Sequence, residues 1–256
     1  MFGATGVLGG HVLDELVAHG VSPQAITAAG RNTTRLGALA DAGFATARID
    51  LSDTAAVADL IDGHSEVVLI SGTDPDRVAQ HVAVIDAAKR AGVGHVYYTS
   101  GVRAGEGRAE INADHQATED ALIASGVTYT ILRNTWYIEN YLQSMDGPRH
   151  TGVLAAAVGD AVVAAASRRD LAEALAVVVT TDGHDNTTYS LSGDTDFTYH
   201  DIATAMSTVL ERDVTYRGVT GGTSCAAHRC WPARRSCRLL GEPRRDYFRG
   251  NVCPCR

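Results

Sequence analysis

Gly3-Ala-Thr-Gly6-Val-Leu-Gly9 is a GxxGxxG turn that runs straight into a helical stripe at Val12, Leu13, Leu16 and Val17. Glycines at this spacing let backbone approach a pyrophosphate. The helix behind them adds unpaired N–H groups and a partial positive charge. The pattern alone would also fit an ordinary turn, so its weight rests on the strand–helix alternation that follows.

Position 31 bears on which dinucleotide such a turn would hold. Folds selective for NAD place Asp or Glu about 20 residues past the glycines, on the ribose hydroxyls. This chain reads Ala28-Ala29-Gly30-Arg31-Asn32, with Arg35 close behind. A guanidinium pairs bidentately with a 2′-phosphate that an acid would repel, so NADPH is favoured. The plainer reading leaves Arg31 and Arg35 on a solvated helix start. Asp50, directly after the strand candidate Phe44–Ile49, reads either as an adenine contact or as the cap of a turn.

One proton relay is absent. Reductases of the short-chain class often pair a tyrosine with a lysine four residues later. Lys89 is the only lysine here, and Ile85 stands four positions before it. No residue is assigned a catalytic role, and His115 reads more readily as a helix residue than as a chemical group.

The elements that would position these groups alternate regularly. Strand candidates are Ala25–Ala29, Phe44–Ile49, Glu66–Ser71, His95–Ser100 and Thr128–Leu132, with helical stripes between them. The run Glu66-Val-Val-Leu-Ile-Ser71 is apolar throughout, as expected of a strand covered on both faces. Repeated βα units imply a doubly wound, Rossmann-type parallel sheet with right-handed crossovers. Farther on, Asp170–Thr180 and Tyr199–Leu210 read as helices, and Thr188–Leu191 and Val214–Tyr216 as strands. The organisation expected is a dinucleotide domain over 1–150, a smaller α/β substrate region over 151–217, and an atypical tail over 218–256.

Composition narrows the function classes. Residues 1–217 hold 14 Arg and Lys against 28 Asp and Glu, a net charge of −14 with no cysteine. So acidic a body repels phosphate backbones and argues against nucleic acid as a partner. No apolar run reaches the roughly 18 residues of a membrane span, and no signal peptide opens the chain. No membrane partner and a cytoplasmic location are therefore expected.

Together these motifs resemble a known family. GATGVLG, Gly30-Arg-Asn32, Val68-Leu-Ile-Ser-Gly72, Tyr97-Tyr-Thr-Ser100 and especially Ile131-Leu-Arg-Asn-Thr-Trp-Tyr-Ile-Glu-Asn140 are similar to the NmrA-like atypical short-chain dehydrogenases. Within them they resemble the type 2 NAD(P)H:quinone oxidoreductases. Asp114-His115 with Thr118-Glu119, Ser167-Arg-Arg-Asp170 and Leu191-Ser-Gly-Asp194 extend the likeness to about residue 219.

The resemblance implies hydride transfer from NADPH to a quinone. It assigns Gly3, Ala4, Thr5, Gly6, Val7 and Leu8 to the pyrophosphate and Arg31, with Arg35, to the 2′-phosphate. Ile70, Ser71 and Gly72 would line the adenosine side. Asn134, Trp136, Tyr137 and Arg168 would lie toward the nicotinamide, and Trp136, Tyr137 and Asn140 would border the quinone. Trp136 and Tyr137 also read as plain core aromatics. The family's NAD(P)-binding redox regulators, which pass a redox state to a partner without turnover, are the alternative. A homodimer is left open.

Both ends depart from the pattern. Only Met1 and Phe2 precede Gly3, where a dinucleotide fold needs about five residues of central strand. The first strand and the C-terminal helices are therefore expected to be missing. The tail is rich in Arg, Cys and Pro with no helical period, as a shifted reading frame would give. A rival metal site of Cys225, His228, Cys230, Cys237, Cys253 and Cys255 matches no common zinc spacing, and no metal is expected.

Overall fold

The fold is seen in a computed structural model that describes residues 1–104 and 110–219. Eight strands and eight α-helices alternate along it. The strands are β1 (Thr27–Gly30), β2 (Ala45–Arg48), β3 (Glu66–Ile70), β4 (His95–Gly101), β5 (Tyr129–Asn134), β6 (Val153–Ala156), β7 (Thr187–Leu191) and β8 (Thr215–Gly218). The helices are α1 (Val7–Ala18), α2 (Thr33–Asp41), α3 (Thr54–Ile61), α4 (Arg77–Ala91), α5 (Glu110–Ser125), α6 (Asp146–Thr151), α7 (Arg168–Thr180) and α8 (Tyr199–Leu210).

Two compact units share the chain. The first holds Met1–Ala104, Asp114–Asn134 and Arg168–Leu191. All its strand pairs are parallel: β1 with β2, β3 with β4, β4 with β5, and β5 with β7. Phe2 links the two groups by parallel bridges to Ala29 and Leu69. The Phe2 amide donates to the Val68 carbonyl at 2.8 Å, and the Ala29 amide donates to Met1 at 2.9 Å. No strand precedes α1 among the described residues, in keeping with the expected loss of the first strand, and isolated bridges at Phe2 are what join the two groups there. Met1 and Phe2 occupy the central position, with Phe2 buried in the core.

The strand order is then β2, β1, Phe2, β3, β4, β5, β7, a doubly wound sheet. β3 carries four consecutive buried residues, Val67 to Ile70, as its unbroken apolar run requires. Val57, Ile61, Val84, Ile85 and Ala88 from α3 and α4 pack against Leu69, Val96, Tyr98 and Ile131 in one core. Asn32 and Asp53 cap α2 and α3 by accepting the Arg35 and Ala56 amides at 3.1 Å. Gly92, in the left-handed region, closes α4 behind Lys89 and Arg90.

The second unit comprises Thr135–Ser167 and the described residues from Ser192 onward, together with the first turn of α5. Its parallel pair β6–β8 and α8 enclose Tyr141, Leu154, Ile202, Met206 and Val214. A capping box, Thr198 with Asp201, starts α8.

The boundary expected at residue 150 therefore differs from the observed division. The chain leaves the first unit after Asn134, returns for α7 and β7, and leaves again after Leu191. The return has a physical reason: β7 covers the open edge of β5, and α7 packs along α1. The tail, apart from Gly218 and Val219, lies outside the described residues, as do its cysteines.

Candidate functional site

The glycine turn is built by backbone at close range. Gly3 has φ +79°, and a Cβ there would meet the Ile70 Cβ at 2.9 Å. A Cβ on Gly9 would lie 2.2 Å from the Gly3 carbonyl oxygen. The Gly6 amide donates to that same oxygen at 2.9 Å, which closes the turn. Helix α1 starts directly after it, with no side-chain cap and no acid in its first turn. Such a helix start leaves N–H groups available to an anion and its dipole uncompensated. A dinucleotide pyrophosphate fits this arrangement.

Gly6 and Val7 face outward, whereas Ala4 and Leu8 are buried. Leu8 can therefore serve a ligand only through its amide. The Thr5 side chain lies against Gly30, where a Cβ would fall 2.4 Å from its Oγ1. The Arg35 Nη1 donates to the Thr5 carbonyl at 2.6 Å. It braces the turn from α2.

Arg31, at the end of β1, is 67% exposed and faces Asp74 at 3.6 Å. An exposed pair of this kind holds its partner weakly, so the guanidinium is open to exchange for a phosphate. Asp50 accepts the Ser52 amide at 3.0 Å and its hydroxyl at 2.7 Å. Those hydrogen bonds hold its carboxyl below the usual range, so capping is the role the structure displays.

At the carboxyl end of β3, Ile70 is buried and the Ser71 amide donates to the Thr99 Oγ1 at 3.0 Å. Gly72 follows in an open stretch. Asn134 ends β5, buried, and its carbonyl accepts the Val102 amide at 2.9 Å. Arg168 begins α7, and its neighbour Arg169 pairs with Glu15 of α1 at 3.1 Å.

In the second unit, Trp136 is 47% exposed and Tyr137 half-buried, so neither is a plain core aromatic. Their backbone is pinned to the segment before α7: the Ala166 amide donates to Trp136 at 3.2 Å, and the Ile138 amide to Ala166 at 3.0 Å. The Thr135 hydroxyl donates to the Ala164 carbonyl at 2.8 Å. Asn140 follows half-buried in a 3-10 helix over Ile138–Ser144. The irregular Leu-Arg-Asn-x-Trp-Tyr string thus holds two aromatic side chains partly clear of the core.

Sequence reasoning missed a buried polar layer between β4, α4 and α5. Arg77 pairs with Asp114, and the His81 Nδ1 lies 3.1 Å from the Thr118 hydroxyl. The Tyr98 hydroxyl lies 2.9 Å from the His115 Nδ1. Ser100 donates to Glu119 at 2.5 Å, and Arg133 holds the same carboxylate through both Nε, at 3.0 Å, and Nη2, at 2.6 Å. The signal was present as spacing. Arg77 and His81 stand four apart on one helix, and Asp114, His115, Thr118 and Glu119 line one face of the next.

Burial, with the neighbouring Arg77, lowers both His81 and His115 to about 4. Each imidazole is neutral at pH 7. Once unfolded it returns toward 6.5 and takes up protons that the folded form refuses. Stability is therefore full above about pH 6.5 and falls as the pH drops toward 4. Between pH 7 and pH 5 we expect a loss of about 2 kcal/mol for each histidine, read by urea unfolding. An unfolding midpoint equal at the two pH values would show that these rings are already charged in the fold.

Among the described residues no helix is long and apolar enough to cross a membrane. Known proteins place this arrangement. A family described as NAD(P)H-binding matches residues 3–182. Quinone oxidoreductase 2 of Escherichia coli is 37% identical over 226 residues, 88% of this chain and 79% of that one. The NAD(P)H azoreductase of Xenophilus azovorans is 26% identical, over 85% of this chain and 76% of that one. Among solved structures, an E. coli NADPH-dependent quinone oxidoreductase complexed with NADPH aligns with a TM-score of 0.86. It is 36% identical, and the alignment covers 93% of this chain and 84% of that one. The triphenylmethane reductase of a Citrobacter species, complexed with NADP(H), aligns with a TM-score of 0.83. It is 31% identical over 88% of this chain and 80% of that one. The chain belongs to the NAD(P)H-binding family, among the NmrA-like reductases of the short-chain dehydrogenase type.

Proposed function

We propose that the chain is an NADPH-dependent oxidoreductase that reduces quinones. The observation that carries this reading is the uncapped start of α1 behind a turn that admits only glycine at positions 3 and 9, with Arg31 exposed at the end of β1. The likeness to quinone reductases of E. coli supports the acceptor class.

On this reading Gly3 to Leu8 hold the pyrophosphate through backbone amides, and Arg31 takes the 2′-phosphate while Arg35 braces Thr5. Ile70, Ser71 and Gly72 lie along the adenosine. Asn134, Trp136, Tyr137 and Arg168 serve the nicotinamide side, and Trp136, Tyr137 and Asn140 border the acceptor. Bound NADPH supplies a hydride, and solvent supplies the proton that completes the hydroquinone. The protein's share is positioning and exclusion of water around a flat, stackable acceptor. The absence of a tyrosine–lysine relay suits such a reaction, because a quinone needs little acid assistance to accept hydride.

Steady-state oxidation of NADPH with a benzoquinone tests this. Turnover well above the uncatalysed rate, and faster with NADPH than with NADH, is the expected result. A rate equal to background would overturn the assignment.

A further inference from the structure

We propose that His115 is a catalytic residue of this reaction, its Tyr98-pinned imidazole presenting Nε2–H as the hydrogen-bond donor to the acceptor oxygen. The inference rests on the quinone reductase reading and deepens it.

Tyr98 is fully buried in β4, and a buried phenol must give its proton to an acceptor. Its hydroxyl lies 2.9 Å from the His115 Nδ1, and the Thr118 side chain is also hydrogen-bonded to it. The neighbouring Thr118 sends its own proton to the Asp114 carbonyl at 2.9 Å. In the proposed arrangement Tyr98 donates to Nδ1, which puts the single imidazole proton on Nε2. Burial pushes the Tyr98 phenol well up, so it stays a donor throughout.

The ring lies over Gly101, the last residue of β4. A Cβ at that position would stand 3.0 Å from the His115 Cδ2 and 3.3 Å from Nε2. Glycine leaves the space in which the ring rests. Gly101 pairs with Asn134 of β5, at the carboxyl end of the sheet where doubly wound folds hold their ligands. The Nε2 carries no hydrogen bond among the described residues, yet it is not sealed in the core as the His81 Nε2 is. A donor is thus fixed in direction and available.

Burial and Arg77 disfavour protonation of His115, Glu119 and Asp114 favour it, and burial prevails. Asp114 and Glu119 are held by Arg77 and Arg133, and His81 lies across the Tyr98 ring. The imidazole stays a hydrogen-bond donor and gives up no proton. The balance is NADPH, quinone and one solvent proton going to NADP⁺ and hydroquinone. Bound NADPH would supply the hydride with its electron pair, and Nε2–H would face the acceptor oxygen on which negative charge develops.

The test uses the full chain and two readouts. His115→Leu should lower kcat with a benzoquinone about 100-fold, as loss of one oriented donor does, while the NADPH dissociation constant stays within about twofold. His115→Gln keeps an N–H and should recover about tenfold of that loss. Independently of turnover, ¹⁵N NMR of the histidine side chains should show His115 protonated on Nε2, with the Nε2 signal moving when hydroquinone is added to the NADP⁺-bound protein. Tyr98→Phe should release this tautomer preference. Wild-type kcat in His115→Leu, or equal losses in the Leu and Gln variants with weakened NADPH binding, would overturn the proposal. So would a proton on Nδ1. An unmodified chain that shows no quinone turnover would instead overturn the reading beneath it, and an Nε2 signal unmoved by hydroquinone would count against His115 alone.

Discussion

Gly9→Ala is expected to weaken NADPH binding about 100-fold, the upper end of a packing clash worth about 1–3 kcal/mol. The added Cβ would sit 2.2 Å from the Gly3 carbonyl oxygen and 2.9 Å from the Ala4 Cα. Both obstacles are backbone, so no side chain can swing aside. The turn must open, and with it the row of amides that faces the phosphates. Gly10 is the control, because a Cβ there meets nothing within 4 Å. Gly10→Ala should leave affinity unchanged and gain slightly in helix propensity. Isothermal titration of the two variants checks the pair. Equal affinities would mean that the turn does not carry the cofactor.

Arg31→Ala should cost NADPH about 100-fold in affinity and leave NADH almost untouched, since two charge-assisted hydrogen bonds to a phosphate are worth about 3 kcal/mol together. The stability of the fold should barely change, because the guanidinium is exposed and its contact with Asp74 is a surface pair. Titration with each cofactor separates the terms. Equal losses for NADPH and NADH would place Arg31 in general charge balance, and no loss for either would remove it from the site.

How much of this was legible depends on what each residue touches. The apolar run of β3 and the stripe of α1 declare themselves because their surroundings are uniform: helices cover both faces of one, and the sheet lies under the other. The glycine turn was legible for the same reason, since only a close backbone approach demands that spacing. The placement of β7 was not. A strand signal at Thr187–Leu191 says nothing of which edge it will join, and pairing with β5 is a long-range choice made by the exposed ladder there. The shortness of the first strand was legible, since only Met1 and Phe2 precede Gly3, but not that Phe2 would still bridge Ala29 and Leu69.

The polar layer shows the opposite difficulty. Arg77, His81 and Glu119 look like surface residues of amphipathic helices, yet all three are buried and face one another across α4, α5 and the sheet. Their meeting depends on how two helices pack. Sequence spacing indicates that each helix has a polar face, but only the fold turns those faces inward. Trp136 was ambiguous for a related reason, because an aromatic in an irregular string has no period to betray its direction.

The central claim, hydride delivery from bound NADPH to a quinone, is tested most directly by a single turnover. Protein loaded with one equivalent of NADPH is mixed with a benzoquinone under anaerobic conditions, and cofactor and product are followed together. The account predicts that NADPH disappears as hydroquinone forms, one for one and much faster than in the absence of protein. NADPH that stays bound and reduced while the quinone persists would contradict it and favour a cofactor-sensing role.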